Sequence, residues 1–224
     1  VYVEGKKIDA QLIRQYASYI RADVLGLKAG SYSVKVVPVD AAGKEMAGAN
    51  TVSNLVVKNY NREGFAHFNF KGIGAYNNDG TLKSDAKVLY ITASTAKTVS
   101  TEVITGDKNK KQTVTGLQAI IDAYQKGYDT TPIAFRIIGK VSLADLDGIS
   151  SSAEGLQIKG KTGYSTMNMT FEGVGDDATI YGFGFLVRSA KSVEFRNFAI
   201  MRCLDDAMSL DTENSNIWIH HLDL

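Results

Sequence analysis

Asn168-Met169-Thr170-Phe171, Ser192-Val193-Glu194-Phe195 and Asn216-Ile217-Trp218-Ile219 are three versions of one phrase. Each begins 24 residues after the one before it. Val174, Phe198 and Leu222 fall in one phase of this repeat, and Ile200 and Leu224 in another. A fixed period of this length marks a solenoid, in which one coil cannot bury its apolar face alone and stacks on the next. Within a phrase, Val193 and Phe195 alternate with Glu194 and Arg196, which is strand spacing. Coils of about two dozen residues with short strands and no helical stripe predict a mainly β chain of the parallel β-helix type. Phe171, Phe195 and Ile219 should stack inside, and Asn168, Ser192 and Asn216 should form a polar column.

The third coil carries an acid cluster, Asp205-Asp206-Ala207-Met208-Ser209-Leu210-Asp211, followed by Glu213 and closing in His220-His221. Calcium takes six to eight oxygen ligands, many of them carboxylate, so Asp205, Asp206, Asp211 and Glu213 are candidates. Composition alone favours solvated turn residues and caps of backbone amides. Met208 and Leu210 are expected to provide the core contacts of this strand. His220 and His221 are adjacent on a strand and should point to opposite faces, which argues against a shared metal. His67 reads as structural.

The run from Gly173-Val174-Gly175 through Asp206-Ala207-Met208 to Asn216-Ile217-Trp218-Ile219-His220-His221 resembles the pectate lyase family of right-handed parallel β-helices. The likeness extends over residues 64 to 224. It implies a calcium ligand at Asp206, which opens the strand before the Trp218 strand. Asp205 is a candidate by proximity. A second acid that some members carry two positions earlier is Leu204 here and is not transferred. Where the family has Asp, this chain has His220. The implied chemistry is calcium-dependent β-elimination of polygalacturonate in pectin, giving 4,5-unsaturated ends, in a secreted or extracytoplasmic setting. The implied base is an Arg expected beyond Leu224; Arg188, Arg196 and Arg202 do not occupy its place. The remaining coils are then expected from a second polypeptide or from sequence lost to truncation.

Residues 1–58 read as all-β. Ser31 to Val39 alternates, with Tyr32, Val34 and Val36 on one face. The approach Leu25-Gly26-Leu27-Lys28-Ala29-Gly30-Ser31-Tyr32 resembles the corner of fibronectin type III-like sandwiches, where a Tyr bonds to upstream backbone. Asp40-Ala41-Ala42-Gly43 suits a hairpin turn into a strand over 49–57. This would be the second half of a β-sandwich, preceding the coils of residues 59–224; an irregular β extension is the other reading. In Thr113 to Tyr124, Val114, Leu117, Ile120, Ile121 and Tyr124 have helical spacing, and Thr115 with Gln118 suits a capping box. This capping helix would lie ahead of the first buried strand, Pro132 to Gly139.

The chain has 224 residues, 44% hydrophobic and 22% charged, with a formal net charge of +1. That composition supports a substantial core and predicts no strong pull toward nucleic acid or anionic membrane. No apolar run is long enough to span a bilayer. The sole cysteine, Cys203, cannot make an internal disulfide. Gly173-Val174-Gly175 opens a dinucleotide-like fingerprint, but a strand follows it, where nucleotide binding needs a helix. Asn168-Met169-Thr170 has the form of a glycosylation sequon, yet Asn168 heads the repeat. Two other functions suit a β-helix: a non-catalytic carbohydrate-binding or adhesin module, and a polygalacturonase-like hydrolase. The hydrolase needs paired acids on neighbouring coils, and no Gly-His-Gly motif is present.

Overall fold

The computed structural model describes residues 1–149, 154–161 and 165–224. Strand accounts for 49% and helix for 8%, so the chain is mainly β. The front segment holds β1 (Tyr2–Val3), β2 (Lys6–Lys7), β3 (Ile13–Gln15), β4 (Ile20–Ala22), β5 (Gly30–Val36) and β6 (Asn50–Val57). Strands β2-β1-β5-β6 form an antiparallel sheet in that order, and β3 pairs with β4. The Tyr32 hydroxyl donates to the Lys28 carbonyl at 2.9 Å, the upstream bond expected of it. The Asp40 carboxylate accepts from the amides of Ala42 and Lys44. Gly43, at φ 78°, supplies the left-handed residue that closes the turn.

The rest comprises β7 (Lys87–Ile91), β8 (Ser100–Gly106), β9 (Lys110–Thr115), α1 (Leu117–Gln125), β10 (Ile133–Ser142), β11 (Leu156–Lys159), β12 (Ser165–Tyr181), β13 (Phe185–Arg188), β14 (Ala190–Met201), β15 (Met208–Leu210) and β16 (Ser215–Asp223). Two parallel sheets organise it, β16-β14-β12-β10-β7 and β11-β13-β15. From β10 to β16 the chain alternates between them. Phe135 pairs with Phe171, Phe171 with Phe195 and Phe195 with Ile219. The three phenylalanine rings stack at centroid distances of 4.8 and 5.2 Å. Phe185, from the second sheet, meets Phe171 and Phe195 edge-on at 5.4 and 5.1 Å. The core therefore lies between the two sheets, with the aromatic geometry that ring quadrupoles favour.

Val174 leaves the column expected for it. From Glu172 to Thr179, β12 takes seven steps while its partner β14 takes three from Arg196 to Ala199, an excess of four residues. Ala178 then joins Phe198 in the core, and Val174 turns to Leu12 and Ile138 of a separate cluster. The excess projects as Gly175-Asp176-Asp177 and is gripped by the front segment. Tyr16 donates to Asp177 at 2.8 Å and accepts from the Asp176 amide at 2.7 Å. Arg14 pairs with Asp177 at 3.0 Å, Tyr19 and Arg21 hold Asp176, and Asp23 accepts from the Gly175 amide.

Asn168, Ser192 and Asn216 share a positive φ of 49°, 64° and 54°, a conformation that Asn tolerates better than most residues. Ser192 donates to the Asn168 side-chain oxygen at 2.8 Å. Asn216 breaks the polar column, donating instead to the carbonyls of Ala66 and Phe68. Asn168 itself donates to the Thr130 carbonyl.

The helix starts later than its spacing suggests, and the capping box is absent. Thr113, Val114 and Thr115 lie in β9, paired with β8, because β-branched residues favour a half-buried strand. Gly116 is the N-cap and makes no side-chain bond there. Gln118 serves β11 instead: its amide donates to the Gln157 carbonyl and accepts from the Gln157 amide, both at 2.9 Å. This covers the unpaired edge of the three-stranded sheet. At the other end, β15 and β16 are the edge strands of their sheets. Leu210, expected to pack in the core, is 52% exposed, while Met208 packs against it. Among the described residues no helix is long and apolar enough to cross a membrane.

Candidate functional site

Asp205 and Asp206 lie in the exposed turn immediately before β15. Together with Glu154, Phe185, Arg188 and Asp211 they line a recess of about 230 Å³ on the three-stranded sheet. The floor forms because β13 and β15 run in register, Phe185 opposite Met208. Gly184 permits the close approach, since a Cβ there would strike the carbonyl oxygens of Asp206 and Ala207. Asp211 is engaged: it holds Arg188, and accepts from the Thr212 amide and hydroxyl. The Thr212 bonds first, and Arg188 after them, hold its carboxyl down at a pKa of about 2. Glu154 accepts from Gln157. No hydrogen bond or ion pair involves the Asp205 or Asp206 carboxylate among the described residues. Glu213 stands apart, near Ser189.

The second polar centre lies on the outer face of the five-stranded sheet. Register places Arg136, Glu172, Arg196 and His220 side by side, and Thr170, Glu194 and Trp218 beside them. The segment over 60–83 covers this face, with the Gly74 amide donating to Ser192 and the Ala75 amide to Thr170. Glu172 and Glu194 have no exposed side-chain surface. Arg136 bonds Glu172 at 2.9 Å, Arg196 bonds it at 2.6 Å, and Arg62 bonds Glu194 at 2.9 Å. Tyr76 donates to Glu172 at 2.6 Å, and burial raises its pKa so that it stays protonated. Burial opposes the charge on Glu194, yet His220, Arg196 and Arg62 overcome it and hold its pKa at about 2. Burial also works against charged Arg136 and Arg196, but Glu172 leads the interactions that raise both pKa values. Arg188 and Arg196 are thus committed to acids. Arg202 lies beside the Tyr181 ring.

The opposite-face expectation for the two histidines does not hold. His221 adopts φ 52°, which breaks strand alternation and folds its ring back beside His220. The two Nδ1 atoms are 2.8 Å apart. His220 Nε2 lies 3.3 Å from Glu194, and Tyr60 Oη lies 3.1 Å from His220 Nδ1. Since the ionised carboxylate only accepts, Nε2 carries the His220 proton and Nδ1 presents a lone pair. Burial lowers the His220 pKa most, keeping the ring neutral. His67 packs edge-on to Trp218 at 4.6 Å with both ring nitrogens buried and unbonded, a packing role.

Sequence periodicity could have flagged Glu172 and Arg196, opposite charges one repeat apart. Arg62 and Arg136 lie outside the repeat and carried no such signal. Among the described residues no group of three or more His, Cys, Asp or Glu side chains is placed to hold a metal. No family, curated protein or solved structure matches the chain.

Proposed function

We propose that this chain forms successive coils of a right-handed parallel β-helix belonging to a pectate lyase-like polysaccharide lyase acting on polygalacturonate. The observation that carries the reading is Asp206. Its carboxylate lies in the turn just before β15, on the recess it shares with Asp205, one strand ahead of the Trp218-Ile219-His220-His221 strand. The stacked parallel sheets and the Phe171–Phe195–Ile219 column support the coil architecture.

Asp205 and Asp206 offer carboxylate oxygens of the kind calcium, a hard cation, prefers, and the rest of its six to eight oxygens would come from water, substrate or further coils. Asp206 and Asp205 would hold it, while Asp211 is already taken by Arg188. Bound there, calcium would acidify the proton next to a uronate carboxylate and favour β-elimination. Asp206 and Asp205 would orient the acidic sugar through that shared cation. Arg196 is assigned no part as base, because neighbouring acids stabilise its charged form. We assign the base to further coils, carried by a longer form of the chain or a second polypeptide and stacked on the open edges of β15 and β16. The reading also implies a secreted or extracytoplasmic protein.

The test is calorimetric titration of this chain with calcium and oligogalacturonate, paired with ultraviolet detection of unsaturated product in a form carrying the further coils. Calcium-dependent binding here and chelator-sensitive elimination there are expected. Binding without unsaturated product in the longer form would identify a carbohydrate-binding module instead. New reducing ends without unsaturation would identify a hydrolase.

A further inference from the structure

We propose that His220, His221 and Tyr60 form a site for a transition-metal dication of the copper(II) type, separate from the Asp206 recess and independent of the lyase reading. The atoms are His220 Nδ1, His221 Nδ1 and Tyr60 Oη. Three features of the geometry point to it.

The first is the support behind His220. Metal-ligating histidines commonly donate their second N–H to a carboxylate, which fixes the tautomer and aims the lone pair. Glu194 does this here at 3.3 Å, and is itself anchored by Arg62 at 2.9 Å. The second is convergence. His220 Nδ1 has one lone pair, yet both Tyr60 Oη at 3.1 Å and His221 Nδ1 at 2.8 Å approach it. A cation lets each of these heteroatoms act as a donor ligand. The third is access, since Tyr60, His220 and His221 line an open cleft of about 250 Å³. Arg62 and Arg196 line it too, but both guanidiniums are held by Glu194 and Glu172.

Spacing selects the ion class. With metal–nitrogen bonds of about 2.0–2.1 Å, nitrogens 2.8 Å apart subtend roughly 86° at the metal. That suits the right-angled ligation of copper(II) or nickel(II); tetrahedral zinc needs about 3.3 Å between nitrogens. Copper(II) also heads the affinity order for such ligands.

The test uses copper(II) presented as its glycine complex, followed by calorimetry and electron paramagnetic resonance. Wild-type chain should bind one equivalent and show hyperfine coupling to two imidazole nitrogens. His221→Ala, at an exposed side chain, should fold normally, lose one coupled nitrogen and weaken binding by more than about tenfold. Tyr60→Phe should weaken binding less, because a phenol oxygen is a weaker donor to copper(II) than an imidazole nitrogen. Asp206→Asn should bind copper as wild type does, which separates this site from the calcium proposal. Unchanged copper affinity in His221→Ala would place the ion elsewhere, at the amino terminus for example, and overturn the proposal. So would the absence of binding to wild type, leaving a hydrogen-bonded histidine pair.

Discussion

Arg62 reaches across 132 residues of sequence to bond Glu194 at 2.9 Å, with both side chains buried. A buried ion loses several kcal/mol of hydration, so each depends on the other for its place. Glu194 has its folded pKa lowered from 4.5 to about 2. Its contribution to stability is therefore complete above the unfolded value and is lost as pH falls from about 4.5 towards 2, an effect on the order of 3 kcal/mol. Denaturant titrations across this window should show wild type losing stability more steeply than Glu194→Gln. Equal slopes for the two proteins would refute the assignment.

Phe195 is fully buried between Phe171, Phe185 and Ile219. Phe195→Ala should cost about 3–5 kcal/mol, since neighbours fixed in parallel register cannot close the cavity. Phe68→Ala, at a side chain 73% exposed, should cost far less. Chemical denaturation of the two variants compares them directly.

Asp206→Asn keeps the side chain's shape and one oxygen but removes its charge. It should lower calcium affinity steeply and leave the melting temperature unchanged, because no hydrogen bond or ion pair among the described residues depends on this carboxylate. Raising calcium should partly restore oligogalacturonate binding by mass action. Asp211→Asn should leave calcium affinity near wild type while loosening Arg188. Unchanged calorimetric affinity in Asp206→Asn would return this residue to the role of a turn acid.

Gly184→Ala tests the recess through its backbone. The new Cβ would collide with the Asp206 and Ala207 carbonyls, and backbone cannot step aside as a flexible side-chain end can. A cost of about 1–3 kcal/mol is expected, together with weaker calcium binding as Asp206 is displaced. Normal stability and normal calcium binding would show that β15 moves freely there.

What was legible in the sequence was whatever is decided between near neighbours or by a strict period. The 24-residue phase placed Phe171, Phe195 and Ile219 in one column, and the corner motif directed the Tyr32 hydroxyl to upstream backbone, where it meets the Lys28 carbonyl. The four-residue excess in β12 was not legible, because Gly173 to Asp177 reads as a turn without disclosing which partner loses step. Glu194 read only as a polar residue alternating with Val193 and Phe195; its burial comes from the segment over 60–83, which no local pattern connects to it. The His221 backbone conformation likewise defeats alternation, and with it the inference that the two imidazoles diverge. Asp206 was located by resemblance, and only the recess around it adds physical context.

The Asp176-Asp177 projection separates two kinds of order within one chain. Contacts inside the parallel sheets close short loops, one circuit at a time, whereas the bonds from Arg14, Tyr16, Tyr19 and Arg21 to this projection close loops of more than 150 residues. Longer loops carry a larger closure entropy, so these bonds cost more to close than the contacts between neighbouring coils. Four residues out of step thus make β12 a docking peg. Under tension from the amino terminus, that peg and the Leu12–Ile138–Val174 cluster beside it would take the load before the stacked phenylalanines do.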